Sequence, residues 1–147
     1  MGSISVLVAT QNAASRAQLE RCLAEWGYRV TSAVDGEAAQ ALLREKSFDI
    51  CLFDWEMPGA NGFEICRQLR SSSSETTPLV ILCASPAQVD DIISREDAGA
   101  NDYITEPFDL RHLRHRMAGL AQIVVFRQDP NIQSMRKTAP TGDATVL

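Results

Sequence analysis

The sequence predicts an α/β protein with a parallel sheet covered by helices on both faces. Short apolar, β-branched runs recur along the chain, helical patterns alternate with them, and the connections are only a few residues long. Of the 147 residues, 45% are apolar and 22% charged, the balance of a globular chain able to bury one core.

Ile4 to Ala9 reads as the first buried strand. Thr10-Gln11-Asn12 breaks it and caps a helix whose apolar positions are Leu19, Cys22, Leu23 and Trp26, with Gly27 as its stop. Tyr28 to Ala33 is the second strand, and Asp35-Gly36 the turn after it. Ala38, Ala41 and Leu42 mark a weakly apolar second helix, followed by a third strand from Phe48 to Phe53. After Pro58-Gly59, Asn61 caps a third helix, with Glu64 placed for a capping box and Phe63, Cys66 and Leu69 as its buried stripe. A polar loop, Ser71 to Thr77, leads to the fourth strand, Pro78 to Cys83. Ser85-Pro86 then opens a fourth helix that faces Val89, Ile92 and Ile93 inward and closes at Gly99. Asn101 to Ile104 is the fifth strand, ended by Pro107. Asp109 caps a fifth helix with Leu110, Leu113, Met117, Leu120 and Val124 on one face. Residues 4–125 form the expected domain, 1–3 resemble an expression scar, and 126–147 read as a disordered tail or linker.

Composition narrows the partners. A net charge of −5 argues against nucleic acid or an anionic membrane. No apolar run approaches the roughly 20 residues that span a bilayer. Cys22, Cys51, Cys66 and Cys83 fit neither a zinc nor a redox spacing, so they read as core residues of a reducing, cytoplasmic setting.

The stretch Ile50-Cys51-Leu52-Phe53-Asp54 organises the functional reading. It ends an apolar strand in a carboxylate, at the edge of the sheet where open α/β folds place their chemistry. A charged side chain there must be paired, solvated or used, unless Asp54 simply starts the turn.

With Asp54 followed by Met57-Pro58-Gly59 and Asn61-Gly62, and later Gly99-Ala100-Asn101-Asp102-Tyr103 with Pro107-Phe108, the sequence resembles the receiver domain of two-component response regulators over roughly residues 4 to 125. The resemblance implies a flavodoxin-like (βα)5 sheet of order 2-1-3-4-5. It implies that Asp54 is the phospho-acceptor, served by a histidine kinase and Mg²⁺. It also implies two acidic metal-holding residues after strand one, a lysine after strand five, and a Ser or Thr after strand four that draws a switch aromatic inward. Partners would dock, and a homodimer would form, through the fourth helix, fifth strand and fifth helix.

Four pocket positions depart from that set. Thr10 and Gln11 stand in place of the acidic pair, Cys83 in place of the hydroxyl, and Glu106 in place of the lysine. Asp54 and the switch aromatic Tyr103 remain. Mg²⁺ takes hard oxygen ligands, usually including carboxylates, and Thr10 and Gln11 offer only neutral ones. Two unit charges about 4 Å apart at an effective dielectric near 20 interact by roughly 4 kcal/mol, so Glu106 for lysine turns attraction into repulsion. Glu56 is the one mitigating residue. It joins Asp54 and Glu106 in a rearranged Mg²⁺ or Ca²⁺ site, or it points to solvent. If the carboxylates cluster without metal, like-charge repulsion raises at least one pKa. His112 and His115 with Arg111, Arg114 and Arg116 make a basic stripe suited to an acidic protein partner.

The first expectation is therefore a signalling module rather than an enzyme, working by protein contact with weak or absent Mg²⁺-dependent phosphorylation. The second is an ordinary phospho-accepting regulator. The third is a flavodoxin-like binding protein or enzyme, although no Gly-rich phosphate loop follows the first strand.

Overall fold

Every residue of strands β1 (Ser5–Ala9) and β4 (Leu79–Ala84) is buried, and so is all of β3 (Ile50–Asp54) except its terminal aspartate. Strands buried on both faces require helices on both faces. The computed structural model supplies them. It describes residues 3–72, 77–94 and 99–131. The edge strands are β2 (Arg29–Ala33) and β5 (Asp102–Thr105), and the helices are α1 (Ala13–Glu25), α2 (Gly36–Glu45), α3 (Gly62–Ser71), α4 (Val89–Ser94) and α5 (Leu110–Gln128). All pairings are parallel, in the order β2-β1-β3-β4-β5. The flavodoxin-like order expected from the resemblance is the order observed.

Strand alternation divides the core into two layers. Leu7, Cys51, Phe53, Val80 and Leu82 face Ala39 of α2, Phe63 and Cys66 of α3, and Ile92 of α4. Val6, Val8, Ile50, Leu52 and Ile81 face Leu19 and Leu23 of α1 and Leu113, Met117, Leu120 and Val124 of α5. All four cysteines are buried, and none forms a disulfide.

The caps follow the sequence closely. Asn12, Asp35, Asn61 and Asp109 each accept from a backbone N–H of the helix they precede. Ser85 and Gln88 form a capping box over a 3-10 turn, Pro86–Gln88, that leads into α4.

Some expectations change. On α2 the fully buried apolar side chain is Ala39, with Ala38 and Leu42 packed beside it as expected, while Ala41 is exposed. Gly36 is a contact residue rather than a turn residue: a Cβ there would overlap the Ala60 carbonyl. Ile93, expected inward, is 74% exposed, while Ile92 packs on the core. α5 runs on to Gln128, past the expected boundary at 125, since no breaker occurs before Pro130. Residues 132–147 of the expected tail, 73–76 of the polar loop and 95–98 before Gly99 lie outside the described residues.

At the far end of the sheet from Asp54, Arg70 braces two strand entries. Its guanidinium donates to the carbonyls of Gly99 and Pro78 (2.7 and 2.9 Å) and to Asn101 Oδ1 (2.8 Å), which also accepts from Val80 N. Nearer the site, a Cβ on Gly62 would overlap the Asp54 carbonyl, so only glycine lets α3 start against the end of β3. We expect Gly62→Ala to lower stability by about 3 kcal/mol, the upper end of overpacking costs. Urea denaturation of the variant beside the parent measures it.

Candidate functional site

Alternation along β3 sends Asp54 toward the α1/α5 side and Trp55 toward the α2/α3/α4 side. The same rule turns Thr10, the residue after β1, toward Asp54. Thr10 is almost wholly buried, and its hydroxyl donates to Asp54 Oδ2 at 2.5 Å. Thr10 is held in turn: Asn12 N donates to its Oγ1 at 3.1 Å, and Arg16 Nη1 to its carbonyl at 2.6 Å.

Cys83 lies beside Asp54, its register partner across β3 and β4, and is buried. Burial pushes its thiol well above the usual range, and the Asp54 and Glu106 carboxylates push it further, so it is an inert thiol. Glu106 follows β5, its N–H held by the Ala84 carbonyl, at the cis peptide before Pro107. Its carboxylate accepts from Ser15 Oγ at 3.4 Å.

Burial raises the Asp54 carboxyl to about 6. The Thr10 hydrogen bond works against the rise, and the Glu106 charge adds to it. Like-charge repulsion from Glu106 is thus the smallest of the three influences on Asp54. Glu56 does not join it. That residue is exposed in an open polar groove with Gln11, Pro58, Asn61 and Gln88. Among the described residues, no group of three or more His, Cys, Asp or Glu side chains is placed to hold a metal ion. The three-carboxylate site expected from Asp54, Glu56 and Glu106 is not assembled, because Glu56 leaves the strand beyond Trp55 and turns outward.

Trp55 carries a connection that no local pattern reveals. Buried and edge-on to Phe63 at 5.2 Å, it donates through Nε1 to Asp91 Oδ2 of α4 at 3.2 Å. Tyr103, the candidate switch aromatic, is 40% exposed on β5. The basic stripe of α5 is partly used inside the molecule. Arg116 pairs with Asp102 at 3.1 Å and donates to His112, while Arg114 lies over the Trp26 ring at 5.7 Å.

A parallel sheet of order 2-1-3-4-5 with its acidic residue at the end of β3 is the geometry against which known proteins can be compared. The family model of the response regulator receiver domain matches residues 6–118. This chain belongs to that family. The receiver domain is 35% identical over 136 residues to the response regulator MprA of Mycobacterium ulcerans, covering 92% of this chain and 58% of that protein. It is 35% identical over 113 residues to the transcriptional regulatory protein AfsQ1 of Streptomyces coelicolor, covering 77% of this chain and 49% of that one. The chain thus spans about half the length of the curated relatives it matches. Among solved structures, the receiver domain of the Francisella response regulator 1452 superimposes with a TM-score of 0.72 at 28% identity, covering 82% of this chain and 98% of that one. The Thermotoga maritima response regulator TrrA, solved in complex with Mg²⁺ and BeF, gives 0.69 at 25% identity, covering 80% and 98%. Receiver domains are signalling modules of two-component systems, and the family binds Mg²⁺ at its phosphorylation site.

The raised Asp54 pKa fixes the sign of a pH effect. The folded state holds this proton more tightly than the unfolded chain, whose carboxyl titrates near 4. The contribution to stability is full below that value and is lost as pH rises through about 6. Chemical-shift titration of the Asp54 carboxyl should give a midpoint about 6, moving down in Glu106→Lys. Asp54→Asn should remove this component from the pH dependence of the denaturation midpoint.

Proposed function

We propose that this receiver domain passes its signal by protein contact, with little or no Mg²⁺-dependent phosphorylation of Asp54. The observation that carries the reading is the Thr10–Asp54 hydrogen bond. A neutral hydroxyl occupies the carboxylate where a hard cation would need charged oxygens. Gln11 adds only an amide, and Glu106 brings negative charge where incoming phosphoryl oxygens need positive charge. The donor set does not fit Mg²⁺.

The partner is a histidine kinase or another signalling protein, met on the face formed by α4, β5 and α5. Ile93 and Tyr103 are exposed there, and Arg111 at the start of α5 supplies positive charge for an acidic partner. Tyr103 serves as a static part of that face, because buried, inert Cys83 cannot take up a phosphoryl group and report it. A cytoplasmic setting agrees with four cysteines outside any disulfide.

A second reading, ordinary phospho-acceptance at Asp54, is favoured by the likeness to TrrA, whose structure is itself an Mg²⁺ and BeF complex. One experiment separates the two. In a Trp26→Phe background, Trp55 reports alone on its neighbour Asp54. Millimolar Mg²⁺ followed by beryllofluoride should leave its emission unchanged, and a small phosphodonor should add no mass. Saturable quenching with a phospho-adduct on Asp54 would establish the ordinary reading instead.

A further inference from the structure

Helices α2 and α3 leave a gap between them that the core does not fill. Gln40, Leu43 and Arg44 stand at i, i+3 and i+4 on α2, and Ile65, Gln68 and Leu69 repeat that spacing on α3, so two stripes line one groove. Ile65 is its buried floor, while Leu43 and Leu69 are only partly buried. Gln40 Nε2 donates to Gln68 Oε1 at 2.8 Å and bridges the groove one turn before the leucines. What remains is an open, mostly apolar hollow of about 220 Å³. Small-molecule sites run from about 300 to 1,000 Å³, so the hollow falls short of one and suits a single anchoring side chain.

The cations around the groove narrow the occupant. Lys46, which ends α2, lies over the Phe48 ring at 5.9 Å, and Arg67 of α3 over the Phe63 ring at 5.7 Å. Arg70 is spent on the carbonyls of Gly99 and Pro78. Arg44 differs from all three. It is exposed at the rim of the hollow, and among the described residues no carboxylate pairs with it. An apolar hollow with a guanidinium at its rim is complementary to an apolar side chain with a carboxylate beside it. A helix laid along a groove presents such a pair one turn apart.

We propose that the α2/α3 groove docks an acidic amphipathic helix of a partner protein. One leucine-like side chain of that helix fills the hollow between Leu43 and Leu69, and an Asp or Glu one turn away pairs with Arg44. None of the lining residues belongs to α4, β5 or α5. The surface is therefore distinct from the one proposed above for signalling contacts, and its use does not depend on whether Asp54 is phosphorylated. One anchor and one exposed ion pair make the contact weak and salt-sensitive.

Methyl chemical-shift mapping of the full chain tests it. The probe is a short alanine-based helical peptide with Leu and Glu one turn apart, used beside a twin in which Lys replaces the Glu. At up to about 1 mM, the weak end of specific binding, the acidic peptide should shift the Leu43, Ile65 and Leu69 methyls. It should bind at least about fivefold more tightly than its basic twin at low salt, a preference that added salt diminishes. Arg44→Glu, at an exposed position, should reverse the preference, and replacing the peptide's Leu by Ala should abolish binding. Absence of any shift at the highest concentration would overturn the proposal. So would equal affinity for the two peptides, or shifts confined to α4 and α5. Concentration-dependent shifts of the same methyls without peptide would assign the groove to a second copy, and contacts to them from residues 132–147 would assign it to the chain itself; either result overturns the partner helix.

Discussion

Burial of the three central strands on both faces is the constraint from which the rest of the structure follows. Once β1, β3 and β4 have no solvent side, their residues must alternate between two helical layers. A polar group then has room only where a strand stops. Thr10, Asp54 and Glu106 all stand just at or past a strand end, and each of the first two inherits its direction from the alternation of the strand before it. The pocket is therefore a product of strand length as much as of residue choice. Extending β3 by one residue would turn its terminal side chain into the opposite layer.

The same constraint explains why a carboxylate survives there at all. Asp54 is desolvated enough to titrate about 6, yet it has a hydrogen-bond donor in Thr10. Thr10 is secured by Asn12 and Arg16, so the donor is fixed by backbone and side-chain bonds rather than left to rotate. The group that donates directly to the carboxylate is a neutral hydroxyl. Among the described residues Glu106 likewise accepts from a neutral group, the hydroxyl of Ser15.

Much of this was legible in the sequence, for physical reasons. Strands, helices and caps are written in local patterns, and Asn12, Asp35, Asn61 and Asp109 act within three residues of themselves. The position of Asp54 was readable from the apolar run before it. Contacts across the fold were not: Ser15 meets Glu106 across 91 positions, Trp55 meets Asp91 across 36, and Arg70 reaches Gly99 across 29. Periodicity also misjudged Ile93, because α4 is a single short helix whose inward face accommodates Ile92 alone. The sequence marks Gly36 as a turn former, while both Gly36 and Gly62 are needed for close packing.

The bond from Trp55 to Asp91 gives the molecule a mechanical property. Trp55 is continuous with the acidic strand end, and Asp91 belongs to the helix that carries exposed Ile93. A protein that grips α4 and displaces it must either carry the indole along or break its hydrogen bond. Coupling of this kind is reciprocal, so whatever the strand end can do to the helix, a load on the helix can do to the strand end. A load on the outer surface of α4 is thus met, through one hydrogen bond, by the residue next to Asp54.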